Sequence, residues 1–247
     1  MLSDAGRVMV PYAERAVAAT QDAENAVRAL ARPDSGPVAL AVVGTLAGGQ
    51  LSAILKRFVT DHPGVDLSLR TATSAEVSGL IRRGEATIGL RFDRDGSRDL
   101  DCELLFAEPL QVVCASDHPR AGCRVARLAE LRGERWIAFP EVPGRREIAA
   151  SHILALFQTL GLGDVVWTPV DSLTAQKRLV EAGFGIALLS QINAAEELGS
   201  QALSTISVRD LKASHDVVTV TRRGGFLSAA ARRLLEIVRA EYRGARS

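Results

Sequence analysis

From Val38 onward the chain alternates short apolar runs with stretches of helical period, and few folds satisfy that alternation. Val38 to Val43 is an unbroken apolar run that reads as a buried strand. Gly48 to Asp61 places Leu51, Ile54, Leu55 and Phe58 on one helical face. Val65 to Arg70 alternates as a strand, Ala75 to Arg82 returns to helical period, and Thr87 to Phe92 is a third strand. A β-α-β-α-β order predicts a parallel sheet covered by helices, with right-handed crossovers and ligands taken at the carboxyl ends of its strands.

The pattern then repeats with variations. Two short strands are expected at Glu103 to Phe106 and Leu110 to Ala115, followed by strands at Trp136 to Phe139, Val165 to Pro169 and Gly185 to Leu189. Helices are expected at Arg146 to Leu160 and Leu173 to Glu181. The chain closes with a strand at Val217 to Thr221 and an amphipathic helix from Leu227 to Tyr242 that returns to the first lobe. The fold class expected is α/β: two Rossmann-like lobes joined by two crossovers, with a cleft between them. The boundaries read as a first lobe at 38–112 and 215–247 and a second lobe at 113–214.

Ahead of the lobes lies a different kind of segment. Leu2, Gly6, Met9, Ala13, Ala16, Thr20, Ala23, Val27 and Leu30 recur every four and three residues, the seam of a heptad repeat. Its small residues suit a close helix pair supported by neighbouring parts, and the alternative is a helix packed on its own domain. Ser3 is an N-cap candidate, and Pro11 is expected to kink or interrupt the first turns. Residues 1–31 therefore read as a dimerisation helix, and 32–37, with two prolines and a glycine, as a linker.

Composition narrows the function classes. Lys plus Arg number 30 against 29 Asp plus Glu, a formal charge of +1, so no excess cation is available to condense on phosphate. Aromatic residues are 4% of the chain, too few for base-stacking platforms. No export signal or membrane-length apolar run is present, which makes the cytoplasm the expected compartment. The three cysteines, Cys102, Cys114 and Cys123, are odd in number and lack CxxC spacing. Cys114 and Cys123 stand nine positions apart across an expected turn and could form a redox pair, although nothing nearby predicts a lowered thiol pKa.

No catalytic constellation is visible: there is no GxSxG elbow, P-loop or GxGxxG, and His62, His118, His152 and His215 have no metal-ligand spacing. The reading is a non-enzyme with neither cofactor nor metal. Binding candidates lie where strands pass into helices. The Gly44-Thr45-Leu46-Ala47-Gly48-Gly49 turn lets backbone approach a ligand, or is an ordinary loop. Thr73 and Glu76 have the form of a capping box, and Ser74 beside them offers a hydroxyl; Asp171-Ser172 repeats the arrangement on the second lobe. Arg91 ends a buried strand, where it would pair with an anionic ligand or with Asp93; Arg145 and Arg146 carry the same two readings.

Taken in order, these pieces resemble LysR-type transcriptional regulators over nearly the whole chain. The similarity runs through Leu2 to Gly6 with Pro11-Tyr12-Ala13, Phe58 to His62-Pro63, Ser74 to Val77, Leu80-Ile81, Gly84-Glu85, Asp117-His118-Pro119 and Val180 to Leu189. Thr87 and Ser190 stand where the family usually carries aspartate and proline. The resemblance implies a type-2 periplasmic-binding-protein-like domain that takes a small, often anionic effector between its lobes, with contacts at Thr45, Leu46, Thr73, Ser74, Phe139 and the loop at Phe184. It also implies homodimers or homotetramers, no membrane, and contact with DNA only through a winged helix-turn-helix that the sequence lacks. A transport-type solute-binding protein shares the lobes, but the expected export signal is missing and the leading helix has no role there.

Overall fold

A computed structural model describes residues 2–31, 36–140 and 148–244. Most of the expected linker, and Arg145 and Arg146, lie outside the described residues. The chain divides into two compact units, the first comprising Met1–Phe106 and Asp216–Ser247, the second Ala107–His215.

Unit 1 opens with α1 (Asp4–Ala31), one continuous helix with Pro11 inside it. Pro11 does not interrupt it as expected, because the donor it removes would have served a carbonyl in an exposed turn that water can satisfy. The Ser3 hydroxyl accepts the Gly6 N–H at 3.1 Å and caps the start. One face of α1 docks on the unit: Ala18 is fully buried against Gly84, and Asp22 accepts from Arg222 at 2.6 Å and from the Phe226 N–H at 3.1 Å. The heptad seam faces elsewhere.

Beyond α1 come β1 (Gly36–Val43), α2 (Gly49–Asp61), β2 (Val65–Ala72), α3 (Ser74–Arg82) and β3 (Ile88–Phe92). β1 pairs in parallel with β2 from Gly36↔Val65 to Val43↔Ala72, and with β3 from Leu40↔Ile88 to Val42↔Leu90. Both faces of β1 are covered, which explains its unbroken apolar run. Leu51, Ile54 and Phe58 of α2 and Val77, Leu80 and Ile81 of α3 are buried, as their spacing predicts. Next comes β4 (Leu100–Ala115), a single strand of 16 residues running from unit 1 into unit 2. Two strands were expected here; Ala107 to Pro109 simply continue the extended backbone. From Leu110 on, β4 pairs with strands of unit 2, so the crossover falls at Phe106/Ala107 and not at 112/113.

Unit 2 continues with β5 (Arg124–Val125), β6 (Trp136–Ala138), α4 (Ile148–Thr159), β7 (Trp167–Pro169), α5 (Leu173–Glu181), β8 (Ile186–Ser190), α6 (Gln191–Gly199) and β9 (Leu203–Val208). Its sheet runs β4-β8-β6-β7, with β9 also on β4 and paired with β5. β6 is parallel to β7 and β8, while β4 is antiparallel to β8 and β9. Trp136 is fully buried, edge-on to Phe157 at 4.6 Å, with its indole N–H donated to the Leu131 carbonyl. β10 (Ser214–Arg222) leads back to unit 1, pairing antiparallel with β3 from Val217↔Phe92 to Val220↔Gly89. Finally α7 (Ala229–Gly244) packs beside α2, joined by Arg57 and Glu241 at 2.6 Å.

Candidate functional site

In unit 1 the parallel register aligns the carboxyl ends of β1, β2 and β3, and five of the expected site residues gather along that edge: Thr45, Leu46, Thr73, Ser74 and Arg91. Gly44–Leu46 forms a 3-10 turn after β1, and α2 begins behind Gly48, which has no side chain to cap it. The first amides of a helix have no intrahelical partner, and the helix dipole makes that end attractive to anions. Among the described residues, nothing lies within 4 Å of where a Cβ would stand at Gly44, Gly48 or Gly49, so the backbone there is open to approach. The Thr45 hydroxyl is buried and has no hydrogen-bond partner among the described residues. A buried hydroxyl in that state costs about 1–3 kcal/mol, which makes it a donor and acceptor held ready for something else.

The neighbouring side chains are already committed to the fold. Thr73 accepts the Glu76 N–H at 3.3 Å while Glu76 accepts the Thr73 N–H at 2.9 Å, so the capping box is formed. Ser74 is fully buried, its oxygen accepting the Phe92 N–H at 3.3 Å, which ties β3 to the start of α3. Arg91 is also buried. Its guanidinium donates to the Phe92 carbonyl at 3.1 Å, the Ser78 hydroxyl at 2.6 Å and Asp95 at 3.0 Å. The carboxylate partner is therefore Asp95, not the Asp93 considered from sequence; Asp93 follows β3 in a left-handed conformation, its N–H bonded to the Asp216 carbonyl. Arg82 closes the network on Asp95 at 2.9 Å and Asp99 at 3.0 Å.

In unit 2 the carboxyl ends of β6 and β7 lead to Phe139 and Ser172. Phe139 is half-buried, and Ser172 caps α5 by accepting the Ala175 N–H at 3.3 Å. Phe184 is not brought to them. It precedes β8 at the amino end of this sheet, where Gly185 packs so tightly on the Arg135 carbonyl that no Cβ fits. Its turn is thus a packing device, with Gly183 in the left-handed conformation. Sequence reasoning passed over Gln111, which stands opposite Leu189 near the carboxyl end of β8 with its amide nitrogen buried and without a partner among the described residues. A lone glutamine in the apolar run Leu110 to Ala115 was the available signal.

Cys114 is buried, donating to the Ser204 carbonyl at 3.6 Å; burial, with Glu134 and Cys123 nearby, pushes its thiol up to about 11. Such a thiol is a poor nucleophile at neutral pH, which removes support for a Cys114–Cys123 redox pair.

The family model of the LysR substrate binding domain matches residues 31–243. Among curated proteins, the phosphonates import ATP-binding protein PhnC of Anaeromyxobacter dehalogenans is 30% identical over 224 residues, 85% of this chain and 43% of that protein. The HTH-type transcriptional regulator SsuR of Burkholderia cenocepacia is 27% identical over 239 residues, 96% of this chain and 75% of that protein. This chain thus spans less than half of the first relative and three quarters of the second. Among solved structures, the CcmR regulatory domain of Synechocystis PCC6803 in complex with 2-PG superposes with a TM-score of 0.74 at 22% identity, covering 83% of this chain and 97% of that one.

Proposed function

Because this chain belongs to the LysR substrate binding domain family, we propose that it is the effector-sensing part of a transcription regulator, taking a small anionic metabolite at the carboxyl edge of β1, β2 and β3. The reading rests on one observation above the others: the buried, unpartnered Thr45 hydroxyl beside the uncapped, glycine-lined start of α2. In this reading Thr45 and the amides after Gly48 hold the anion, the backbone at Leu46 and Thr73 shapes the edge, and Ser74 and Arg91 position it from behind. The complex of the CcmR regulatory domain with 2-PG supports a small ligand as the occupant.

Control of transcription is carried over from relatives such as SsuR, with DNA engaged by a helix-turn-helix module and the protein in the cytoplasm. No helix among the described residues is long and apolar enough to cross a membrane. An effector shifts such a protein only through its differential affinity for two arrangements, and no chemical step is asked of the site.

The test is calorimetric titration with 2-PG and a panel of small carboxylates and phosphate esters, repeated on Thr45→Val. A ligand that binds the wild type should bind the variant about tenfold more weakly, the effect of one lost hydrogen bond to a charged group. The variant should meanwhile melt no lower than wild type in the absence of ligand, since a methyl replaces an unsatisfied hydroxyl. Equal affinity for both proteins would remove Thr45 from the site.

A further inference from the structure

We propose that His152 and His215 form a binding site within unit 2 for a divalent transition metal, Zn2+ or an ion of similar preference. The two lie 63 positions apart in sequence, His152 exposed on α4 and His215 on β10 at 2% exposure. The fold brings their Nδ1 atoms to 3.1 Å, with ring centroids 4.8 Å apart and planes inclined at 76°.

Those distances distinguish two arrangements. A straight N–H···N bond lying along both ring axes would add a ring radius at each end and separate the centroids by about 5.4 Å. Two imidazole nitrogens aimed at one ion about 2.05 Å away subtend roughly 100° at it and hold the centroids about 4.8 Å apart. The observed centroid spacing of 4.8 Å equals the one that two rings sharing an ion require, and an ion there would replace a bent imidazole–imidazole hydrogen bond.

As it stands the pair shares one proton in an imidazole–imidazole contact at 3.1 Å; a metal ion bound there would take that proton's place, the proton passing to Nε2 or to solvent. The site is also firmly mounted: the Leu110 N–H bonds the Ala213 carbonyl at 2.9 Å, fixing the chain that carries His215. Two imidazole nitrogens favour Zn2+, Ni2+, Co2+ or Cu2+ over Mg2+ and Ca2+, and leave the remaining coordination positions to water or an anion. This site uses none of the groups proposed for the effector, so either reading stands or falls without the other.

The experiment is calorimetric titration of the whole chain with Zn2+, with the visible absorption of added Co2+ as a second readout, in the wild type and in His152→Ala. His152 is exposed, so its removal leaves the core intact. Wild type should show a saturable site that His152→Ala weakens by at least about tenfold, with loss of the Co2+ bands. His62→Ala, altering a histidine of unit 1, should leave both readouts unchanged. His215→Gln should behave as His152→Ala; should that buried change prevent folding, His152→Ala alone decides. No saturable binding by wild type, or identical titrations and Co2+ spectra for wild type and His152→Ala, would overturn the proposal.

Discussion

Arg91 shows how a single side chain can be placed well by sequence while the identity of its partner stays open. The end of a buried strand is a natural position for a cation awaiting an anion, but here the anion belongs to the protein. Burial alone would raise the Asp95 carboxyl; hydrogen bonds from Ser97 and Ser78 and the charge of Arg82 outweigh it and hold the group well below the usual range. A carboxyl depressed in this way contributes stability in full above its unfolded pKa of about 4, and loses it as pH falls through the folded value. Asp95→Asn strands the buried Arg91 and should cost about 2–3 kcal/mol at pH 7, somewhat below a fully buried pair because Asp95 is partly exposed. In urea titrations the gap between wild type and variant should be widest near neutrality and shrink below about pH 4. A gap independent of pH would mean that the carboxylate charge is not what holds Arg91.

At the scale of elements, what was legible depended on whether the cause was local. The Thr73–Glu76 box, the Ser172 cap and the inward faces of α2 and α3 follow from residues three or four apart, and each could be read from sequence. Thr45 was legible for the same reason, as a residue in a turn between strand and helix. By contrast α6 was missed because its first amides are served from afar: Glu108 accepts the Ile192 N–H at 2.8 Å across 84 positions, and Ser190 makes no side-chain cap. The histidine pair is announced by no spacing in the sequence, and the end of the sheet at which the Phe184 turn lies is set by the parallel pairing of β8 with β6, which no local pattern carries. In α1 the two readings of its heptad turn out to be compatible. Ala18 and Asp22 hold one face to unit 1, while Met9, Ala13, Ala16, Thr20, Ala23, Val27 and Leu30 remain exposed on another. A second copy of the helix is the occupant proposed for that seam, since the heptad pattern and its small residues match a close helix pair. Val27→Glu combined with Met9→Glu should therefore lower the mass seen by light scattering and leave the circular dichroism of the fold intact. Ala18→Leu should instead pry the helix from Gly84, destabilising unit 1 by about 1–3 kcal/mol. An unchanged mass in the double variant would place the self-association elsewhere.

Across the whole molecule, the chain path makes the two units unequal. Unit 1 is assembled from two distant stretches, whereas unit 2 is one uninterrupted segment, Ala107–His215. That segment keeps the pairing of β4 with β8 and β9, and a core in which Trp136 meets Phe157 edge-on at 4.6 Å and Phe157 stacks on Trp167 at 4.7 Å. A buried aromatic cluster adds about 0.5–1.5 kcal/mol per pair beyond its apolar area, and a unit of this size lies within the range that folds alone. Both tryptophans of the chain, Trp136 and Trp167, belong to this unit, so indole fluorescence reports on it selectively. Residues 107–215 made as a separate polypeptide should therefore show the native emission maximum and a cooperative urea transition with a smaller m-value than the full chain, in proportion to the surface it exposes. Residues 1–106 made alone lack β10 and α7, leaving β3 without its antiparallel neighbour and α2 without its cover, and should show no cooperative transition. Adding residues 216–247 to them in trans should restore one. If residues 107–215 emit as solvated indole and melt without cooperativity, the core of unit 2 depends on the rest of the chain, and the boundaries at Ala107 and His215 do not mark an independent folding unit.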